Sequence, residues 1–99
     1  MTDEFPALPE QVLSVAVARK RLVEVTYNKG RSLLAPHSVV TIREEPYLRA
    51  VTVARDGRTP RQPKLGTFKL SGLSDVAVTR RLFSTALFAA AVDQQTTPR

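Results

Sequence analysis

Between Leu22 and Thr79 the apolar residues recur at every second position, in short runs that each end at a turn. Period two is the repeat of an extended chain, whose successive side chains point to opposite faces of a sheet. Val23, Val25 and Tyr27 alternate with Glu24, Thr26 and Asn28. Asn28-Lys29-Gly30 then offers a turn, with glycine available for a positive φ. Arg31 to Ala35 is extended again, and Pro36, which has no backbone N–H, predicts a bend or a sheet edge. Ser38 to Arg43 is β-branched and reads as a strand, and Glu44-Glu45-Pro46 as a turn. Tyr47 to Ala54 reads as the longest strand, closed by Asp56-Gly57. Thr67 to Ser71, with Phe68 and Leu70 on one face, and Ser74 to Thr79, with Val76 and Val78 inward, read as the last two strands.

Helical patterns flank these runs. Pro9 and Glu10 suit a first helical turn, and Val12, Leu13, Ala16 and Val17 form one apolar stripe. Arg19-Lys20-Arg21 places positive charge where the helix dipole favours it. Residues 80–92 read as a second helix with Leu82, Phe83, Ala86, Leu87 and Ala90 on its apolar face. Such a face is expected to cover its own sheet or a second copy of the chain. Residues 1–8 read as a flexible lead and 93–99 as a flexible tail. The order is helix, five or six short strands, helix: a mainly β (α+β) domain over 9–92. Short antiparallel strands with tight turns favour a small closed or half-open barrel.

The chain has 99 residues and a hydrophobic fraction of 42%, enough for one modest core. It has no cysteine, which removes disulfides, thiolate chemistry and cysteine metal sites. One histidine, His37, excludes a histidine metal cluster, and it reads as a turn residue after Pro36. The four glycines are scattered, so no phosphate loop is present. Glu44 and Glu45 are adjacent and would point apart on an extended chain, so they read as a solvated turn. No cofactor and no catalysis are expected. The start of the chain is acidic, unlike a signal peptide, and the apolar run from Leu82 to Val92 is too short to span a bilayer. A cytoplasmic protein with no membrane partner is expected.

Fifteen Lys and Arg against nine Asp and Glu give a net charge of +6. That excess favours a polyanionic partner, although small domains also carry such charge for solubility. Residues 58–66, with two prolines and a glycine, read as an exposed basic loop. Arg55, Arg58, Arg61 and Lys64 lie in and beside it, with Lys69 just beyond, against Asp56 alone. The loop could follow a sugar-phosphate backbone, or be merely solvated. On the strand from Tyr47, period two places Tyr47, Arg49, Val51 and Val53 on one face. Either tyrosine and arginine meet a ligand there, or Leu48 and Ala50 face the core and Tyr47 and Arg49 face water.

Several of these segments together resemble a WYL domain, a bacterial regulatory module named for a Trp-Tyr-Leu tripeptide. A short helix leads into Val-Glu-Val-Thr-Tyr at 23–27, and Arg31 is followed by apolar residues and Pro36-His37. Pro46-Tyr47-Leu48 stands where Trp-Tyr-Leu would, followed by Arg49-Ala50. Phe68-Lys69-Leu70-Ser71 is similar to the Phe-x-Leu segment before the family's last strand. The resemblance spans Val12 to Phe83 and departs at Pro46 and at Gly72, where the family carries tryptophan and arginine. It implies an Sm-like, SH3-type β-barrel that senses a negatively charged ligand, a nucleotide or single-stranded nucleic acid, as a stand-alone regulator. The candidate ligand residues are then Arg31, His37, Tyr47, Arg49 and Lys69, converging on one cleft. Arg31 and Arg49 would clamp phosphate, Tyr47 would stack and His37 would add a hydrogen bond. The alternative is a protein-interaction or dimerisation module with a degenerate ligand site, working as a homodimer or docked on a regulatory protein.

Overall fold

The computed structural model describes residues 8–93; residues 1–7 and 94–99, read from sequence as lead and tail, lie outside that range. Helix α1 spans Pro9–Arg19, with proline in its first turn, Glu10 beside it and Arg19 in its last turn. It stops because Lys20 adopts a left-handed conformation, φ 55°. Leu13 and Ala16 are its buried residues, as the apolar stripe requires.

Six strands follow: β1 (Arg21–Tyr27), β2 (Gly30–Ile42), β3 (Glu45–Arg55), β4 (Lys64–Lys69), β5 (Ser74–Leu82) and β6 (Val92–Asp93). They form one sheet in the order β5-β1-β2-β3-β4-β6. The first five pair antiparallel, and β6 lies parallel to β4. Two-residue turns join the long hairpins. Asn28 and Lys29 (φ 53° and 64°) link β1 to β2, and Arg43 and Glu44 (φ 53° and 71°) link β2 to β3. Positive φ at both turn positions matches the right-handed twist of the flanking strands. The second turn therefore sits one residue earlier than Glu44-Glu45-Pro46, and Glu45 and Pro46 already belong to β3.

Pro36 does not divide β2, which at 13 residues is longer than the 11-residue β3. The ladder with β1 runs only as far as Leu34, so the missing N–H at Pro36 falls where β2 is paired to β3 alone. A register shift between Pro36 and Ser38 makes His37 the extra residue of a β-bulge. The bend expected at Pro36 is thus a bulge within one continuous strand.

Both faces of the sheet are packed. On one, Val23, Val25, Leu34, Leu48 and Ala50 join Leu13 and Ala16 of α1. On the other, Leu22, Ala35, Val51 and Leu65 meet Phe83, Leu87 and Phe88 from the C-terminal segment. The strands thus carry apolar residues on both faces in their middle and alternate only toward their ends. Truncating a fully buried residue such as Leu13 to alanine costs about 2–5 kcal/mol.

Four expectations are corrected. The sheet is not closed into a barrel: β5 and β6 are its edges, and among the described residues no ladder joins them. The chain passes from β4 to β5 through a 3-10 turn at Leu70–Gly72, where Leu70 and Leu73 enter the core instead of extending a strand. Lys64 is not in a loop, because β4 begins there and Leu65 and Gly66 are buried. The helix expected over 80–92 shrinks to α2, Ala86–Ala90. Residues 80–82 instead extend β5, where Arg21 pairs with Leu82 and the Lys20 carbonyl accepts the Phe83 N–H at 3.0 Å. Pairing with β1 satisfies backbone groups that a frayed helix start would leave to water. The packed apolar residues are accordingly Phe83, Leu87 and Phe88, while Leu82, Ala86 and Ala90 are exposed. No described helix is long and apolar enough to cross a membrane.

Candidate nucleotide-binding groove

The pleat of β3 separates its side chains as the sequence predicts. Leu48 and Ala50 are buried against α1, so Tyr47 and Arg49 lie on the opposite face. Lys69 of β4 stands across from Tyr47, and Thr67 across from Arg49. Lys69 is held by Glu45, Nζ to Oε1 at 2.8 Å, and this hydrogen bond raises its pKa above the usual lysine value. His37, in the bulge, has Nδ1 2.9 Å from Ser38 Oγ, and its ring packs edge-on to Phe88 with centroids 4.8 Å apart.

Arg31 is elsewhere. It is the second residue of β2, about 20 Å along the strand from the bulge at roughly 3.3 Å per residue. Its Nη1 donates to Thr26 Oγ1 at 3.0 Å and to the Asp75 carbonyl at 2.8 Å, and its Nη2 reaches Glu24 at 3.5 Å. These contacts tie β1, β2 and β5 together. The five residues expected to converge therefore do not share one cleft. Tyr47, Arg49 and Lys69 are neighbours, His37 flanks the C-terminal segment, and Arg31 is separate.

A different concavity lies on the α1 side of the sheet, at the end of β1. Tyr27 and Phe68 form its aromatic wall, edge-to-face at 5.2 Å. Thr52 of β3 and Gly66 of β4 also line it, with Pro60, Arg61, Gln62 and Lys64. The groove encloses about 710 Å3. Arg55 also lines it, fixed by hydrogen bonds from Nη1 to Ser32 Oγ (3.1 Å) and from Nη2 to the carbonyls of Tyr27 (3.1 Å) and Asn28 (3.3 Å). Among the described residues, no acidic side chain lines it. Arg58 lies apart, in a shallow hollow with Asp56 and Thr59 beyond the Asp56-Gly57 turn.

Three cations beside two aromatic rings can attract a phosphate and offer a ring to a base. Arg55, Arg61 and Lys64 were legible in the sequence as a basic cluster. Tyr27 and Phe68 were not, because each reads only as an inward strand residue. Nothing local links two positions 41 residues apart until the sheet brings β1 and β4 to either side of the groove. Comparison with known proteins finds no match: no family model, no curated protein and no solved structure is similar to the chain.

Proposed function

We propose that the chain is a non-catalytic, WYL-like regulatory module that binds a nucleotide or short single-stranded nucleic acid. The observation that carries this reading is the groove, which sets Tyr27 and Phe68 beside Arg55, Arg61 and Lys64, with no acidic residue among the described residues that line it. The net charge of +6 adds long-range attraction for the same ligands. The strand order β5-β1-β2-β3-β4 with a 3-10 turn before β5 supports a half-open SH3-type arrangement. Arg55 would act through a pre-set guanidinium, while Arg61 and Lys64 on the exposed rim would reach the phosphates. The face bearing Tyr47 and Arg49 is the competing surface. Thermal melting against mononucleotides and short oligonucleotides tests the reading. A ligand at a hundred times its dissociation constant adds about 2.7 kcal/mol to stability. Stabilisation that disappears in Arg61→Ala but survives in Arg49→Ala supports the groove. The reverse pattern moves the site to the other face, and no stabilisation by any of these ligands removes the reading.

A further inference from the structure

The turn that ends β3 holds two arginines side by side. Asp56 and Gly57 (φ 50° and 82°) make a two-residue turn, and Arg55 and Arg58 close it across an antiparallel bridge. The Arg55 N–H donates to the Arg58 carbonyl at 2.8 Å, and the Arg58 N–H donates to the Arg55 carbonyl at 2.9 Å. Residues opposed in this way send their side chains to the same face, with Cβ atoms about 4.5–5.5 Å apart. Like charges so placed are unfavourable, and an anion between them would remove the repulsion. Arg55 lines the groove, so Arg58 projects to the groove's side of this ribbon. The shallow hollow that Arg58 lines adjoins the groove, because the two share Arg55 and Pro60.

Groove and hollow together set Arg55, Arg58, Arg61 and Lys64 against one carboxylate, Asp56, among the described residues that line them. Asp56 already accepts the Arg31 N–H, at 3.0 Å from Oδ1. Arg55 spends three of its five N–H donors on Ser32, Tyr27 and Asn28, so its guanidinium is fixed while its charge stays. We infer that groove and hollow are one site, and that its ligand is a nucleoside triphosphate whose base lies on Tyr27 and Phe68 and whose phosphate chain crosses Pro60 to Arg58. The inference rests on the groove reading above and adds the length of the phosphate chain. Arg58 does not line the groove itself, so a monophosphate held by Arg61 and Lys64 leaves it unused. A longer phosphate chain reaches it and places negative charge between the paired arginines. The aromatic wall takes any base, because every base has a π-face, so adenine nucleotides serve as probes.

The test is calorimetric titration with adenosine mono-, di- and triphosphate in magnesium-free buffer, with inorganic triphosphate as control. Affinity rises with each phosphate, and inorganic triphosphate binds more weakly than the nucleoside triphosphate. Arg58→Ala weakens triphosphate binding by about fivefold and leaves monophosphate binding unchanged. Arg43→Asn removes the same charge from the turn at the other end of β3 and leaves both unchanged. Melting curves without ligand check that both variants fold. NMR of the wild type needs no variant: the Arg58 side-chain Nε–H signal shifts with the triphosphate and not with the monophosphate. A monophosphate that binds as tightly as the triphosphate, an Arg58→Ala protein with wild-type triphosphate affinity, an equal loss in Arg43→Asn, or an unmoved Arg58 signal overturns this inference and leaves the groove reading standing. No binding by any of the three nucleotides, or inorganic triphosphate binding as tightly as the nucleoside triphosphate, removes both.

Discussion

The guanidinium of Arg55 occupies the space that a side chain at position 30 would need: a Cβ added to Gly30 would lie 2.6 Å from Arg55 Nη2. The sequence offers Gly30 as a turn glycine, but the positive φ values fall on Asn28 and Lys29 instead. Gly30 is required for close approach. Its bare backbone lets Arg55 reach the carbonyls of Tyr27 and Asn28 and shape one wall of the groove. Gly30→Ala should displace Arg55 from these acceptors and cost about 1–3 kcal/mol. Chemical denaturation of the variant checks this, and an unchanged midpoint and slope would show that Arg55 moves aside freely.

Lys69 gives a prediction in pH. Its pKa is raised, first by the hydrogen bond to Glu45 and then by the charges of Glu45 and Tyr47. A lysine whose folded pKa exceeds its unfolded one stabilises the fold below the unfolded value, 10.5 here, and loses that contribution as pH rises through the folded value. Glu45→Gln should lower the Lys69 pKa toward the ordinary value without unfolding the protein. NMR titration of the lysine side-chain carbons reads this directly, and a titration unmoved by the substitution would dissolve the pair.

The C-terminal segment should matter for stability. Phe83, Leu87 and Phe88 pack over Ala35, Val51 and Leu65, and Phe88 also meets the His37 ring. Phe88→Ala should cost about 2–3 kcal/mol, less than a fully buried phenylalanine because the ring is only half-buried. Ending the chain after Leu82 should cost more. A melting temperature unchanged by both alterations would mean the segment does not hold to the sheet in solution.

Much of the sheet was legible because its strands alternate. Val23, Val25 and Tyr27 declared β1, and the β1–β2 and Asp56-Gly57 turns declared themselves by composition. Two features escaped for a shared reason: both depend on pairing between distant segments. Pro36 forbids a central strand only if both sides are paired, and β1 withdraws before reaching it. Residues 80–82 carry apolar and basic side chains that suit a helix, yet the start of β1 offers them a ladder. The candidate site failed in the same way. Arg49, Tyr47 and Lys69 are adjacent because they share one hairpin and its neighbour, whereas Arg31 was grouped with them by motif order alone. Its hydrogen bond to the Asp75 carbonyl reaches β5, whose placement beside β1 no local pattern announces.

The groove is tested most directly by the salt dependence of oligonucleotide binding. A fluorescent single-stranded oligonucleotide is titrated at two salt concentrations against the wild type, Arg61→Ala/Lys64→Ala and Arg49→Ala. Each phosphate contact contributes about 0.7 to the slope of log affinity against log salt for single strands. The double variant should therefore lose about 1.4 of the slope, while Arg49→Ala keeps the wild-type value. A wild-type slope retained in the double variant, or a wild type that binds no oligonucleotide at either salt, would contradict nucleic-acid binding in the groove.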